Sequence, residues 1–196
     1  ATSFNGDIST WNLSSVNNMN EMFSNATSFA GDISQWDVSA VVYFYDMFEG
    51  ATSFNSDLSS WNVSSAQDMD DMFRGASSFN QNLSSWDVSK VTDMGRMFDD
   101  SGLSDDNYDL TLIGWASQGG LKSNVSLGAS GINYCQGAEA RALLMGTYGW
   151  NISDEGQLCS DEASLLTFAI PNQERINRND TNQTIDIIMP FGTDLT

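Results

Sequence analysis

Apolar and polar positions recur along the first hundred residues with a period of 25, in four copies spanning 1–25, 26–50, 51–75 and 76–100. In the first copy the apolar positions are Ala1, Phe4, Ile8, Trp11, Leu13, Val16, Met19, Met22 and Phe23. The same columns continue as Phe29, Phe54 and Phe79, as Trp36, Trp61 and Trp86, and as Met47, Met72 and Met97. Within a copy, "TWNLS" alternates, with Trp11 and Leu13 facing one way and Asn12 and Ser14 the other, which predicts a short strand. "VNNMNEMF" carries Val16, Met19, Met22 and Phe23 at spacings of three, three and one, which predicts one or two turns of α- or 3₁₀-helix. Gly6, Gly31, Gly50 and Gly75, among Asn and Ser, are read as corners.

A period in the range of 20–29 residues points to a solenoid, each unit closing one coil and stacking on the next. One coil has too small a core to offset the entropy of ordering its backbone, so neighbours above and below are a stability requirement. Stacked coils align their strands into a narrow parallel sheet and their apolar columns into a continuous core. The Met and Phe columns are therefore read as packing and not as a cofactor site.

Beyond residue 100 the repeat stops. "SDDNYDLTLIGWAS" opens with acids suited to a helix start, then offers Leu112, Ile113, Trp115 and Ala116 as an apolar side. "GAEARALLMGTYG" predicts a second helix ending at Gly149, and "NVSLGAS" between them predicts a further strand. Two helices covering the last coil make a cap, residues 101–159. After Cys159, "LLTFAI", an Asn-rich turn and "TIDIIMPF" predict two strands around a hairpin.

Charge removes several functions. The chain carries 26 acids against 7 bases, a net charge of −19, and no histidine. The four repeats hold 14 of those acids and the remainder 12, so the acidity is general. Such a surface repels nucleic acid and anionic membranes, and no apolar run reaches the length of a membrane span. Contents of 40% hydrophobic and 11% aromatic residues argue against disorder. With no histidine, scattered bases and no phosphate-cradling glycine loop, catalytic residues are expected to be absent.

Polar columns raise the remaining chemistry. Asp7, Asp32 and Asp57, followed by Asn82, stack as candidate calcium ligands; alternatively, Asx side chains satisfy backbone groups at the corners. Free exchange of Asp for Asn favours the second reading, so no cofactor is expected, with calcium as the alternative. The second copy breaks the pattern at "VVYFYD". Tyr43 stands where the other copies have Asn18, Asp68 and Asp93; Tyr45 stands where they have Asn20, Asp70 and Gly95. Phe44 replaces a core methionine and is expected to stay buried. Tyrosine faces beside Asn18, Asp68, Asp70 and Asp93 suit sugar rings, with carboxylates and carboxamides taking hydroxyls; the alternative is that the tyrosines cover a local gap.

"FNQNLSSWDVSKVTDMGRMF" closely resembles the 25-residue repeat of bacterial BspA-like leucine-rich-repeat surface proteins, the DUF285 type. The stretch from "YDLTLIGWASQGGL" to "NISDEGQLC" resembles the cap that closes such arrays in Bacteroidetes. The resemblance implies a leucine-rich-repeat-like solenoid with short parallel strands and short helical turns, closed by an α/β cap. It also implies an extracellular or cell-surface binding or adhesion module without catalytic machinery, whose partner is a surface protein or a glycan. A stalk without its own ligand and an accessory module of a glycan-active enzyme are the alternatives. Residues 160–196 resemble a linker and the opening strands of an immunoglobulin-like β-domain, so the chain is expected to be a slice of a larger secreted adhesin. Cys135 and Cys159, the two cysteines of the chain, flank the second cap helix; a disulfide there fits secretion, and two buried thiols are the other possibility.

Overall fold

In the computed structural model, the described residues are 2–159. The expected strands of an immunoglobulin-like domain fall outside them. The described part is mostly irregular, with two helices, α1 (Asp105–Ala116) and α2 (Ala138–Tyr148), and two strands, β1 (Ser126–Ala129) and β2 (Asn151–Asp154). The strands pair in parallel, with Leu127 opposite Ile152. None of the helices is long and apolar enough to cross a membrane among these residues.

The repeats contain neither the strand nor the helix that their spacing predicts. Each is a succession of hydrogen-bonded turns. In the first copy the Trp11 N–H donates to the Ile8 carbonyl (3.1 Å), Val16 to Leu13 (2.8 Å) and Met22 to Met19 (3.3 Å), and at the junction with the second copy Ala26 donates to Phe23 (2.9 Å). An apolar residue stands at each end of these four-residue turns, so a spacing of three returns the chain to the core without a helix. Helix is ruled out at one position in particular. Glu21, Asp46, Asp71 and Arg96 all adopt left-handed backbone, with φ between 50° and 58°, which interrupts both helix and strand. Alternation at Trp36, Asp37 and Val38 holds for facing, since the two apolar residues are buried and Asp37 is exposed. That segment nevertheless pairs with no neighbouring strand.

The hydrogen bonds between copies lie further along. The N–H groups of Met19, Glu21, Phe23 and Asn25 donate to the carbonyls of Tyr43, Tyr45, Met47 and Glu49, at 2.6–2.9 Å. Copies two and three repeat the same pattern, and copy four continues it onto β1 through Met94 and Phe98 and onto Ser130 just beyond it through Asp100. Parallel bridges link Asn18 to Tyr43, Tyr43 to Asp68, Asp68 to Asp93 and Met94 to Leu127. The backbone groups left unpaired by the turns are thus satisfied by the equivalent segment of the next copy, about 25 residues away.

Behind this ladder lies one buried aromatic cluster. Phe23, Phe48, Phe73 and Phe98 stack in sequence at 5.5–6.1 Å between ring centroids, and Phe29, Phe54 and Phe79 at 5.8–6.1 Å. The tryptophans add a polar tie. The indole N–H of Trp36 reaches the Ile8 carbonyl at 3.0 Å, that of Trp61 the Ile33 carbonyl at 3.1 Å, and that of Trp86 the Leu58 carbonyl at 2.9 Å. Trp115 of α1 makes the same bond to Leu83 at 3.0 Å. α1 therefore carries on the role of a fifth repeat. Trp11 has no such acceptor among the described residues and is 49% exposed; with Phe4, Met22, Phe23 and Ala26 it lines an open apolar recess.

Two of the expected corner glycines have a conformational reason. Gly50 and Gly75 occupy left-handed backbone, φ 64° and 67°, where a side chain is strained. Gly6 and Gly31 do not, and Ser56 and Gln81 stand at the same place in later copies.

The two helices beyond residue 100 end where their sequence signals stand. Ser104 caps α1 by accepting from the Asn107 N–H, and α2 ends on left-handed Gly149. α2 lacks a capping side chain of its own. Instead the carboxylate of Asp109, buried in α1, accepts from the N–H groups of Cys135, Gln136 and Gly137 at 2.7–3.1 Å. A negative charge at a helix N-terminus satisfies three free donors and the helix dipole together. Asp154 of β2 then receives the Tyr108 hydroxyl at 3.0 Å and the Arg141 guanidinium at 2.7 Å, tying both helices to the sheet. Burial, with Asp154 beside it, lifts the Tyr108 phenol well above its ordinary range. A disulfide joins Cys135 to Cys159.

Candidate binding face

The bridge ladder brings Asn18, Tyr43, Asp68 and Asp93 side by side in one column. Turn chemistry decides how each sits. Asn18, Asp68 and Asp93 each accept, through Oδ1, from the backbone N–H two residues on, at 2.8, 3.1 and 3.0 Å, closing an Asx turn. Tyr43 has no such acceptor. The Tyr45 N–H that it would have capped donates instead to Asn20 Oδ1 of the preceding copy, at 3.0 Å. Tyr43 is 42% exposed, as Asn18 and Asp93 of the same column also are exposed, while Phe44 is fully buried. Tyr45 is half-buried in the adjacent column with Asp70.

Beneath these columns runs an acidic row of which only Asp70 stood among the sequence candidates. Asp71 is almost completely buried and is bonded by Arg96, with Arg74 at 3.4 Å. Arg96 also lies 3.7 Å from Asp70, and Arg74 lies 3.9 Å from Glu49. The two arginines do not neutralise the row. Desolvation, with Asp71 and Asp93 nearby, pushes the Asp70 carboxyl up to about 6. Desolvation likewise raises Asp46, whose neighbours are Asp71, Glu49 and Glu21. Hydrogen bonding to Asp46 and the charge of the same group raise the Tyr45 phenol. The available signal was complementary charge in one column: Glu21, Asp46 and Asp71, then Arg96, at successive 25-residue steps.

The calcium candidates stand elsewhere. Asp7, Asp32 and Asp57 are exposed, and each accepts through Oδ1 from the N–H of Ser9, Ser34 or Ser59 at 2.9–3.0 Å. These serine bonds hold all three carboxyls below the ordinary range. Among the described residues no group of three or more acids or cysteines is arranged to hold a metal ion.

Turns repeating every 25 residues, a shared parallel ladder and a common aromatic core, followed by two helices and a small parallel sheet, characterise the described residues. Residues 1–110 match the family described as Mycoplasma protein of unknown function, DUF285, and the chain belongs to that family. Neither the curated proteins nor the solved structures contain a match to the chain.

Proposed function

We propose that the protein is a non-catalytic, extracellular or cell-surface binding module. In this reading its four copies coil as a leucine-rich-repeat-like solenoid, and the ledge formed by Tyr43 and Tyr45 meets a glycan or protein ligand. The observation that carries the proposal is Tyr43 itself. It is a large aromatic face exposed in the middle of a column that is Asn or Asp in the other three copies. An exposed aromatic beside carboxylates and carboxamides is the chemistry that stacks a sugar ring and takes its hydroxyls. The ladder between copies supports the coiled arrangement, and the disulfide suits an oxidising compartment. Acidity weighs against nucleic acid and anionic lipid as partners.

A glycan array probed with the wild-type chain and with Tyr43→Ala combined with Tyr45→Ala tests the ledge. Loss of the bound spots in the double variant is expected, at unchanged melting temperature. Identical array profiles would remove the ledge as the ligand site.

A further inference from the structure

A second column of asparagines runs along another part of each copy, and it has a gap. Where the column is intact, an Asn carboxamide oxygen accepts the backbone N–H of the next unit: Asn5 from Ala30 at 3.0 Å, Asn55 from Asn80 at 2.9 Å, and Asn80 from Ser104 at 3.0 Å. Two of these rungs are closed by a second amide. The Gln81 side-chain NH₂ donates to Asn55 Oδ1 at 2.7 Å and to the Asn55 carbonyl at 3.1 Å. Asn107 does the same to Asn80, at 2.8 and 3.1 Å.

Between the second and third copies both amides are missing. Residue 30 is alanine, so nothing reaches the Asn55 N–H, which has no acceptor among the described residues. Position 56 is serine where the next copy has Gln81, and its hydroxyl takes the Ile33 N–H at 3.3 Å, leaving the Ala30 carbonyl without a donor among the described residues. The two short side chains border an open surface recess of about 490 Å³ lined by Ala30, Gly31, Asp32, Asn55, Ser56 and Asp57, among others. At its edge stand the Asn55 N–H, whose equivalents Ala30, Asn80 and Ser104 are each paired, and the Ala30 carbonyl, whose equivalents Asn55 and Asn80 are paired; together the two complement an amide.

We propose that this notch binds the acetamido group of an N-acetylated sugar. The ligand's carbonyl accepts from the Asn55 N–H and its N–H donates to the Ala30 carbonyl, replacing the missing rung. The remaining recess takes a single pyranose ring. Its walls carry hydroxyls and the carboxylates of Asp32 and Asp57, which take sugar hydroxyls, and no large apolar side chain that would anchor a peptide. The site is separate from the tyrosine ledge, since neither Tyr43 nor Tyr45 lines it.

The test is an amide proton–nitrogen NMR titration of the full chain with methyl N-acetyl-β-glucosaminide, and with methyl β-glucoside as comparison. The Asn55 amide is expected to shift with the acetamido sugar and not with the glucoside. Ala30→Asn restores the carboxamide and Ser56→Gln the second amide; each is expected to weaken binding about tenfold or more, and Ala30→Asn to raise the melting temperature. Tyr43→Ala with Tyr45→Ala is expected to leave the Asn55 response intact, which separates this site from the ledge. The proposal is overturned if no amide shifts, if the glucoside acts equally, or if both notch variants bind as the wild type does. Equal binding of N-acetylasparagine amide overturns the sugar assignment in favour of a peptide.

Discussion

Replacing Trp86 by Phe isolates the tie between copies. Trp86 is fully buried, stacks on Trp61 at 6.4 Å and donates its indole N–H to the Leu58 carbonyl at 2.9 Å. That carbonyl also accepts the Trp61 N–H at 3.1 Å, so it keeps one partner when the indole is lost. The hydrogen bond itself then accounts for about 1 kcal/mol. Loss of the second ring, with partial collapse of the space, adds about 1–2 kcal/mol. The expected destabilisation is therefore about 2–3 kcal/mol. Trp11→Phe is the matched comparison, because Trp11 is half exposed and has no acceptor among the described residues; its expected cost is within about 0.5 kcal/mol. Urea unfolding followed by far-UV circular dichroism reads both without relying on tryptophan fluorescence, provided the slopes agree. Equal losses in the two variants would refute the claim that indole bonds between copies contribute to stability.

Two further outcomes follow from the acidic row and the disulfide. Asp70 ionises at about 6 in the folded chain against an ordinary value of 3.8, so between these values the folded state holds the proton that the unfolded state has released. Stability therefore falls as pH rises from about 4 to about 6, by about 1–2 kcal/mol after discounting for solvent screening, and Asp70→Asn flattens most of that slope; thermal melts across this range decide it, and an unchanged slope in the variant rejects the assignment. Reducing the Cys135–Cys159 bond, which spans a sequence separation of 24, is expected to cost about 3.5 kcal/mol in the chain-entropy treatment. Melts with and without reductant check it, and coincident curves would contradict it.

Much of the structure after residue 100 was legible because its signals are local. Acids at the start of α1 and Gly149 at the end of α2 act within a turn of where they stand, and β1 lies within the predicted "NVSLGAS". β2 was not anticipated, since its four residues gain their pairing only from β1. Tyr43 was legible as an exception, and Phe44 as a core residue, because the other three copies supply the comparison. The buried Asp71–Arg96 pair needed the same column comparison applied to charge.

The sequence by itself determined the period, the apolar columns and the ends of the two helices, since repetition and end chemistry are properties of neighbouring residues. Tertiary structure decided what the period builds. A spacing of three serves a turn as well as a helix, and the left-handed backbone at Glu21 and its equivalents is permitted because the flanking N–H groups find acceptors in the next copy. It also decided that Asp109 caps a helix other than its own, and that Ala30 and Ser56 leave a notch. Those outcomes depend on partners some 25 residues distant, which become neighbours only when the copies stack.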